Sequence, residues 1–442
     1  MNKPADRPGN ARRLPEPSPL ARHWGLDPGL VHLNHGSFGA CPKIVLDAQR
    51  GYRDRMEREA VSFFCVDLWE LLDRARRAVA GVVGASWEDV VFLPNATTAV
   101  ATVLENVARG VGLEAPLGPG DEVLTTSHDY PACRFNLARV AARAGAGYVE
   151  VPFPTPATHA TPIVEDDIVE AVLSGVTRRT RLAMLSQITS PSGVAMPVAR
   201  LCRLLGERGV MVVVDGAHGP GAVDFDLPAL GAAFYTSNCH KWLCSPKGAA
   251  MLWVRRDLQK DFRPLVLSNS ARLPGGRRGR GRFATEFGYI GTDDYTPMCA
   301  VADAVGALPE IAGTDWPGII RANRDLVLRG RDILVERLGL DRPYADGLIG
   351  PMAALELPRV AEGLRGRLAS RPTAYADALQ DALVERHGVQ VPVWRSSDQL
   401  GGQEFDGRRT IRISAQLYNS EAQYTYLADA LAAELEAERG AG

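Results

Sequence analysis

Met211-Val212-Val213-Val214-Asp215-Gly216-Ala217-His218 joins a short run that is apolar on both faces to an acid, a glycine and a histidine. A strand with one wet face alternates in polarity. A run with no polar face suits a strand covered by helices on both sides, as in a buried parallel sheet. Four other runs read the same way: Val90-Val91-Phe92-Leu93, Glu122-Val123-Leu124-Thr125, Leu182-Ala183-Met184-Leu185 and Ala250-Met251-Leu252-Trp253-Val254. Each suits a central strand of a largely parallel sheet. Thr97 to Ala108 and Val198 to Arg208, lying between such runs, carry apolar residues at helical spacing. The alternation predicts an α/β fold, a mainly parallel sheet sandwiched by helices.

Three segments follow from the same reading. Residues 1–28, broken by Pro15, Pro17, Pro19 and Pro28, form an expected irregular arm. Residues 29–317 make the large α/β domain, with 29–60 a candidate to pack on the smaller one. Residues 318–442 change to long helices (Arg321 to Leu338, Pro372 to His387) with short strands near Ala353–Leu357 and Thr410–Ser414, a smaller α+β domain. The formal net charge of -2 gives no support for nucleic acid or a membrane surface as partner. No apolar run reaches the roughly 18 to 20 residues of a membrane span. The seven cysteines are odd in number and contain no Cys-x-x-Cys pair, which points to reduced thiols and no metal site. A cytoplasmic enzyme is expected.

In an open α/β sheet, ligands gather beyond the carboxyl ends of the strands. Four of those ends are polar: Asp215-Gly216-Ala217-His218; Ser186-Gln187-Ile188-Thr189-Ser190; Pro94-Asn95-Ala96-Thr97-Thr98; and Ser127-His128-Asp129-Tyr130. Downstream lies Thr236-Ser237-Asn238-Cys239-His240-Lys241-Trp242, whose Lys241 is one of five lysines beside forty-five arginines. Arginine stays protonated, whereas a desolvated lysine can lose its proton and condense with an aldehyde. Pyridoxal phosphate needs such a lysine, a carboxylate for its ring nitrogen and donors for its phosphate. Lys241 and Asp215 supply the first two. Asn95-Ala96-Thr97-Thr98 opens a predicted helix, where backbone N–H groups converge on an anion, although the same residues would serve as a plain cap. His128 or Tyr130 offers a flat face for the cofactor ring, and Thr189 at its strand end joins the candidate cofactor set.

Taken together with Asn34-His35-Gly36-Ser37-Phe38-Gly39 and Gly291-Thr292-x-Asp294, these motifs resemble the class V aminotransferases, fold-type I pyridoxal-phosphate enzymes, and within them the isopenicillin N epimerase-like group. The resemblance spans residue 31 to about 420. It implies that Lys241 bonds the cofactor, Asp215 pairs with the pyridinium nitrogen and His218 approaches the ring hydroxyl. It further implies that Thr97, Asn238 and His240 bind phosphate, that Thr292 reaches it from the partner subunit of a homodimer, and that Arg412 holds the substrate carboxylate beside Asn34 and His35. Lys247 is the rival lysine, to which the family pattern gives a structural place. Only Cys244 and Cys299 follow Lys241, and neither lies in a glycine-rich loop, which argues against a desulfurase.

The reaction divides three ways. Expulsion of a leaving group from Cβ makes a carbon–sulfur lyase acting on an S-linked cysteine; return of a proton on the opposite face, by His35 or Tyr130, makes an epimerase; loss of the carboxylate makes a decarboxylating deaminase. The lyase is the leading expectation, and a cofactor-free binding scaffold is the alternative from another class. Ser268 to Arg282, with Arg272, Arg277, Arg278, Arg280 and Arg282, reads either as a solvated loop or as a lid whose arginines meet an anionic substrate group. A composition poor in lysine and rich in Ala, Gly and Arg suggests a bacterial source, compatible with specialised metabolism.

Overall fold

The computed structural model describes residues 13–155, 161–273, 275–395 and 405–440. Residues 1–12 of the expected arm and Pro274 of the arginine-rich segment lie outside the described residues. Twelve strands are described: β1 (Val31–His32), β2 (Val90–Leu93), β3 (Glu122–Thr126), β4 (Gly147–Val151), β5 (Thr180–Ser186), β6 (Met211–Asp215), β7 (Phe234–Asn238), β8 (Ala250–Val254), β9 (Met352–Glu356), β10 (Val389–Gln390), β11 (Val393–Arg395) and β12 (Arg409–Ser414). β2 to β8 form one sheet in the order β2-β8-β7-β6-β5-β3-β4. Every pairing from β7 through β4 is parallel, and β8 runs antiparallel to both β7 and β2.

The apolar runs feed two cores. Val91, Leu93, Val123, Leu182, Met184, Val213 and Leu252 point to one face of the sheet. Their neighbours Val90, Phe92, Leu124, Ala183, Leu185, Val212, Val214 and Met251 point to the other. Side chains alternate along a strand, so burial on both faces demands continuous hydrophobicity. One expectation is corrected here. Val90–Leu93 is an edge strand, not a central one. It can be wholly apolar because the helices Leu68–Val82 and Arg282–Gly288 pack against it.

The carboxyl ends of β2, β3, β5, β6 and β7 open on one side of this sheet. Over that side lies the three-stranded antiparallel sheet β11-β12-β9, backed by the helices Trp316–Leu338 and Glu421–Gly440. β1 pairs in parallel with β10, which ties the N-terminal segment to the C-terminal part. The segment before it is also fastened. Pro19–His23 forms a 3-10 turn, Trp24 is buried with its indole N–H donating to the Ala40 carbonyl at 3.2 Å, and Ser18 N–H donates to the Tyr418 carbonyl.

The arginine-rich segment is held to the large domain and does not border the cavity of its own chain described next. Arg280 is buried against Asp73 and Glu70, Arg277 sits over the Trp69 ring at 5.0 Å, and Arg282 pairs with Glu286 at 2.8 Å. Arg272 and Arg278 are exposed.

Candidate active site

Where the strand ends meet β12, a cavity of about 330 Å³ is lined by Lys241, Asp215, His218, Asn238, His240, Asn95, Ala96, Thr97, Tyr130 and Arg412. Ten of the residues singled out in the sequence are therefore brought together. Lys241 lies in the turn after β7, its amine 2.9 Å from His218 Nε2. The Trp242 indole, which can only donate, gives its N–H to His218 Nδ1 at 3.1 Å. His218 then carries its proton on Nε2 and donates it to Lys241, whose amine must accept and so be neutral. Burial and the nearby Arg412 agree, holding the Lys241 amine down to about 7.

Two buried charges face this amine without counter-ions. The Asp215 carboxylate, at the end of β6, accepts from the Ala217 N–H at 3.0 Å, the Thr236 hydroxyl at 3.3 Å and the Cys133 thiol at 3.3 Å. No cation pairs with it among the described residues, and burial pushes the carboxyl up. Arg412, from β12, donates to the Ser190 carbonyl and, at 3.1 Å, to the Ser37 hydroxyl. Its guanidinium lies over the Trp394 ring at 4.8 Å and its Nε has no partner. Burying one ion alone costs several kcal/mol, so a fold that keeps an unpaired anion and an unpaired cation in one cavity is built for charged ligands.

The start of helix Ala96–Ala108 borders the same cavity. Asn95 caps it, accepting from Thr98 N–H at 2.8 Å, and Asn238 Oδ1 accepts from Ala96 N–H at 2.9 Å. Among the described residues nothing accepts the Thr97 N–H, and His240 Nδ1 is buried without a partner. These free donors suit a phosphate. Asn238, expected to bind it directly, spends its amide oxygen on the helix and keeps its NH₂ available.

Other expected residues fall elsewhere. His35 is fully buried, its Nδ1 2.9 Å from the Tyr418 hydroxyl and its Nε2 3.0 Å from the Lys241 carbonyl. It braces the lysine turn and does not border the cavity. Asn34 accepts from the Ser37 hydroxyl at 2.6 Å and acts through that residue. Thr98 donates its hydroxyl to Asn95, and Thr189 is bound to Ser192 at 2.6 Å, so both shape turns. His128 stacks on Phe153 with ring centroids 4.4 Å apart and borders a different cavity; Tyr130, two residues on, is the aromatic ring at the Lys241 cavity. Thr292 is exposed beside Tyr289 and outside the cavity of its own chain. Gly39 explains the glycine ending its motif: at φ +68°, a Cβ there would lie 1.9 Å from the His240 carbonyl oxygen. Ser37, Cys133, Trp242 and Trp394 were missed, although Ser37 and Trp242 stood inside quoted motifs.

The family model for class-V aminotransferases matches residues 40–272. A putative L-cysteine desulfhydrase 1 of Oryza sativa is 32% identical over 91% of this chain and 83% of its own length. Isopenicillin N epimerase of Streptomyces clavuligerus is 31% identical over 92% and 95%. The chain belongs to the class-V aminotransferase family. The same fold is found in a solved mutant of C-DES with glycine covalently linked to its PLP cofactor, at TM-score 0.72 and 19% identity, covering 93% of this chain and 98% of that one. This member of the family is accordingly a fold-type I enzyme dependent on pyridoxal phosphate, and a cofactor-free scaffold is set aside. The donor set fits that cofactor: an uncharged amine, an unpaired carboxylate and a helix start with free donors. Among the described residues no helix is long and apolar enough to cross a membrane, and no His, Cys, Asp and Glu cluster could hold a metal.

The lysine gives the cofactor-free protein a pH signature. Between about pH 7 and the ordinary lysine value of 10.5, the unfolded chain holds the Lys241 proton and the fold does not. Stability then rises with pH across that window. Thermal melts of cofactor-free protein from pH 7 to 10 should show this rise relative to Lys241→Ala, in which the difference disappears.

Proposed function

We propose that the protein is a carbon–sulfur lyase acting on an S-linked L-cysteine, with Lys241 as the residue that bonds the cofactor and then moves the Cα proton. Asp215 would hold the cofactor's ring nitrogen, Thr97, His240 and the Asn238 amide its phosphate, and Arg412 the substrate carboxylate. Bound there, pyridoxal phosphate withdraws the electron pair released at Cα. The neutral amine of Lys241 takes that proton once substrate displaces it. Loss of the sulfur from Cβ as a thiol, or as a sulfenic acid from a sulfoxide, leaves carbons that water converts to pyruvate and ammonia. Tyr130, at the cavity mouth, is the group available to protonate the departing sulfur.

The observation favouring elimination over epimerisation is the engagement of His35. An epimerase needs a second proton donor across from the lysine, and both ring nitrogens of His35 are committed to Tyr418 and to the backbone. Desulfurase chemistry is disfavoured by the burial of Cys244 and Cys299, each 0% exposed. The epimerase reading is kept alive by Tyr130 and by the Streptomyces relative. A homodimer is part of the proposal: Leu265, Val266 and Leu267 form an exposed apolar run, and Thr292 lies exposed at the surface beside Tyr289, where a second copy could meet it. Seven free cysteines suit a reducing cytoplasm.

The deciding experiment incubates the purified protein with S-substituted L-cysteines and their sulfoxides and measures three products. Pyruvate with thiol supports the lyase. An inverted Cα centre without pyruvate would replace it with the epimerase, and carbon dioxide with the decarboxylating deaminase.

A further inference from the structure

A second cavity of about 290 Å³ lies beyond Trp394, between the loops after β3 and β5 and the sheet β11-β12-β9. The strand register relates it to the first. Across that sheet Ala354 faces Arg412, while Glu356 and Trp394 both face Thr410. Opposed residues share a face, and residues two apart along a strand return to it, so these five side chains form two adjacent rows on one surface. Arg412 borders the Lys241 cavity; Glu356 and Thr410, one row on and roughly 7 Å along the strand, border the second. Trp394 and Pro191 border both. A molecule anchored at Arg412 thus has the second cavity along the sheet from its carboxylate.

The lining states what would fit. Phe153, backed by the stacked His128 ring, faces a space also bounded by Tyr344 and Trp394, flat apolar surfaces suited to a ring. His128 is uncharged, its burial holding it at about 3. Two arginines border the cavity, but each has its own acid: Arg395 pairs with Asp377 at 2.9 Å and Arg408 with Asp406 at 2.5 Å. Glu356 is different. Its carboxylate has no hydrogen bond or ion pair among the described residues, and burial pushes the carboxyl up. An ionised carboxylate only accepts, so Glu356 can take a donor from a ligand in this cavity.

We propose that this cavity is the subsite for the substituent on the substrate's sulfur, and that it takes a flat aromatic or heteroaromatic group carrying a cationic or N–H donor toward Glu356. The proposal rests on the amino-acid reading of the Lys241 cavity and adds the class of side chain. It places specificity on Glu356, Trp394 and Ala354, outside the motifs that carry the family resemblance.

Calorimetric titration tests it without turnover, using Lys241→Ala protein supplied with pyridoxal phosphate. The ligands are S-methyl-, S-benzyl- and S-(4-aminomethylbenzyl)-L-cysteine, with benzylamine as the side group alone. The charged conjugate should bind at least about tenfold more tightly than the methyl one, as a charge-assisted contact allows. Glu356→Gln should reduce that ratio to the one shown by the uncharged benzyl conjugate. Ala354→Leu, which fills the cavity, should erase the advantage of both rings by bulk. Equal binding of all three conjugates would overturn the subsite while leaving the amino-acid reading intact. Benzylamine bound through Glu356, with no conjugate bound, would overturn the amino-acid reading and keep the cavity as a cation site. Absence of any binding would overturn both.

Discussion

Lys241→Ala protein is expected to lose activity by about three to four orders of magnitude, the scale set by removing a positioned acid–base group, with loss of covalent attachment added to it. Lys241→Arg should lose as much, because a guanidinium keeps the charge but cannot condense with an aldehyde at neutral pH. The structure gives the reason for both. The amine is buried and pinned to His218, whose proton position is fixed by Trp242, so Lys241 is held as a lone-pair acceptor. Borohydride reduction and peptide mass mapping should place the cofactor adduct on Lys241, with the visible band absent from either variant. An adduct on Lys247 would overturn the assignment. Lys247 is tied to the Gly39 carbonyl at 3.0 Å, away from the cavity, so the two lysines are cleanly separable.

Asp215→Asn should act with opposite signs on activity and on stability. Removing the charge that faces the ring nitrogen should lower kcat by about 10²- to 10³-fold, the range found when one preorganised electrostatic partner is lost. The cofactor-free protein should meanwhile melt higher, by about 1 °C for each kcal/mol of relieved burial in a chain of 442 residues. Asp215 is buried and in no ion pair among the described residues, and its carboxyl is raised by that burial, so the ionised form is a penalty above the ordinary carboxylate range that an amide avoids. Melting curves with and without pyridoxal phosphate read both effects. A variant less stable in each state would show that Asp215 serves mainly its neighbours Cys133, Ala217 and Thr236.

The two cases also show what the sequence reveals. Asp215 was legible because it ends a strand whose apolar run stands out, where catalytic groups gather, and Lys241 because it is one of five lysines beside forty-five arginines. β7 was harder to see, because Phe234-Tyr235-Thr236-Ser237-Asn238 is half polar; it is nevertheless buried, with Thr236 donating to Asp215. β4 sits at the sheet edge with only Val151 buried, so its pattern is weak. His128 and Tyr130 were equivalent on paper, but the turn after β3 sends one ring against Phe153 and leaves the other at the lysine. Trp394 carried no signal, since its importance lies in packing beneath Arg412, a contact made by strand pairing between β11 and β12. Family resemblance pointed to His35; the structure shows that both its ring nitrogens face structural partners.

His35 bridges the backbone of Lys241, 206 residues downstream, and the hydroxyl of Tyr418, 383 residues downstream. During synthesis the reactive lysine therefore emerges from the ribosome long before the tyrosine that completes its support. A chain arrested just before Tyr418 already contains every described strand, yet its lysine turn lacks this brace. Cofactor capture should accordingly be among the last events of maturation, so that an incomplete chain carries little reactive aldehyde.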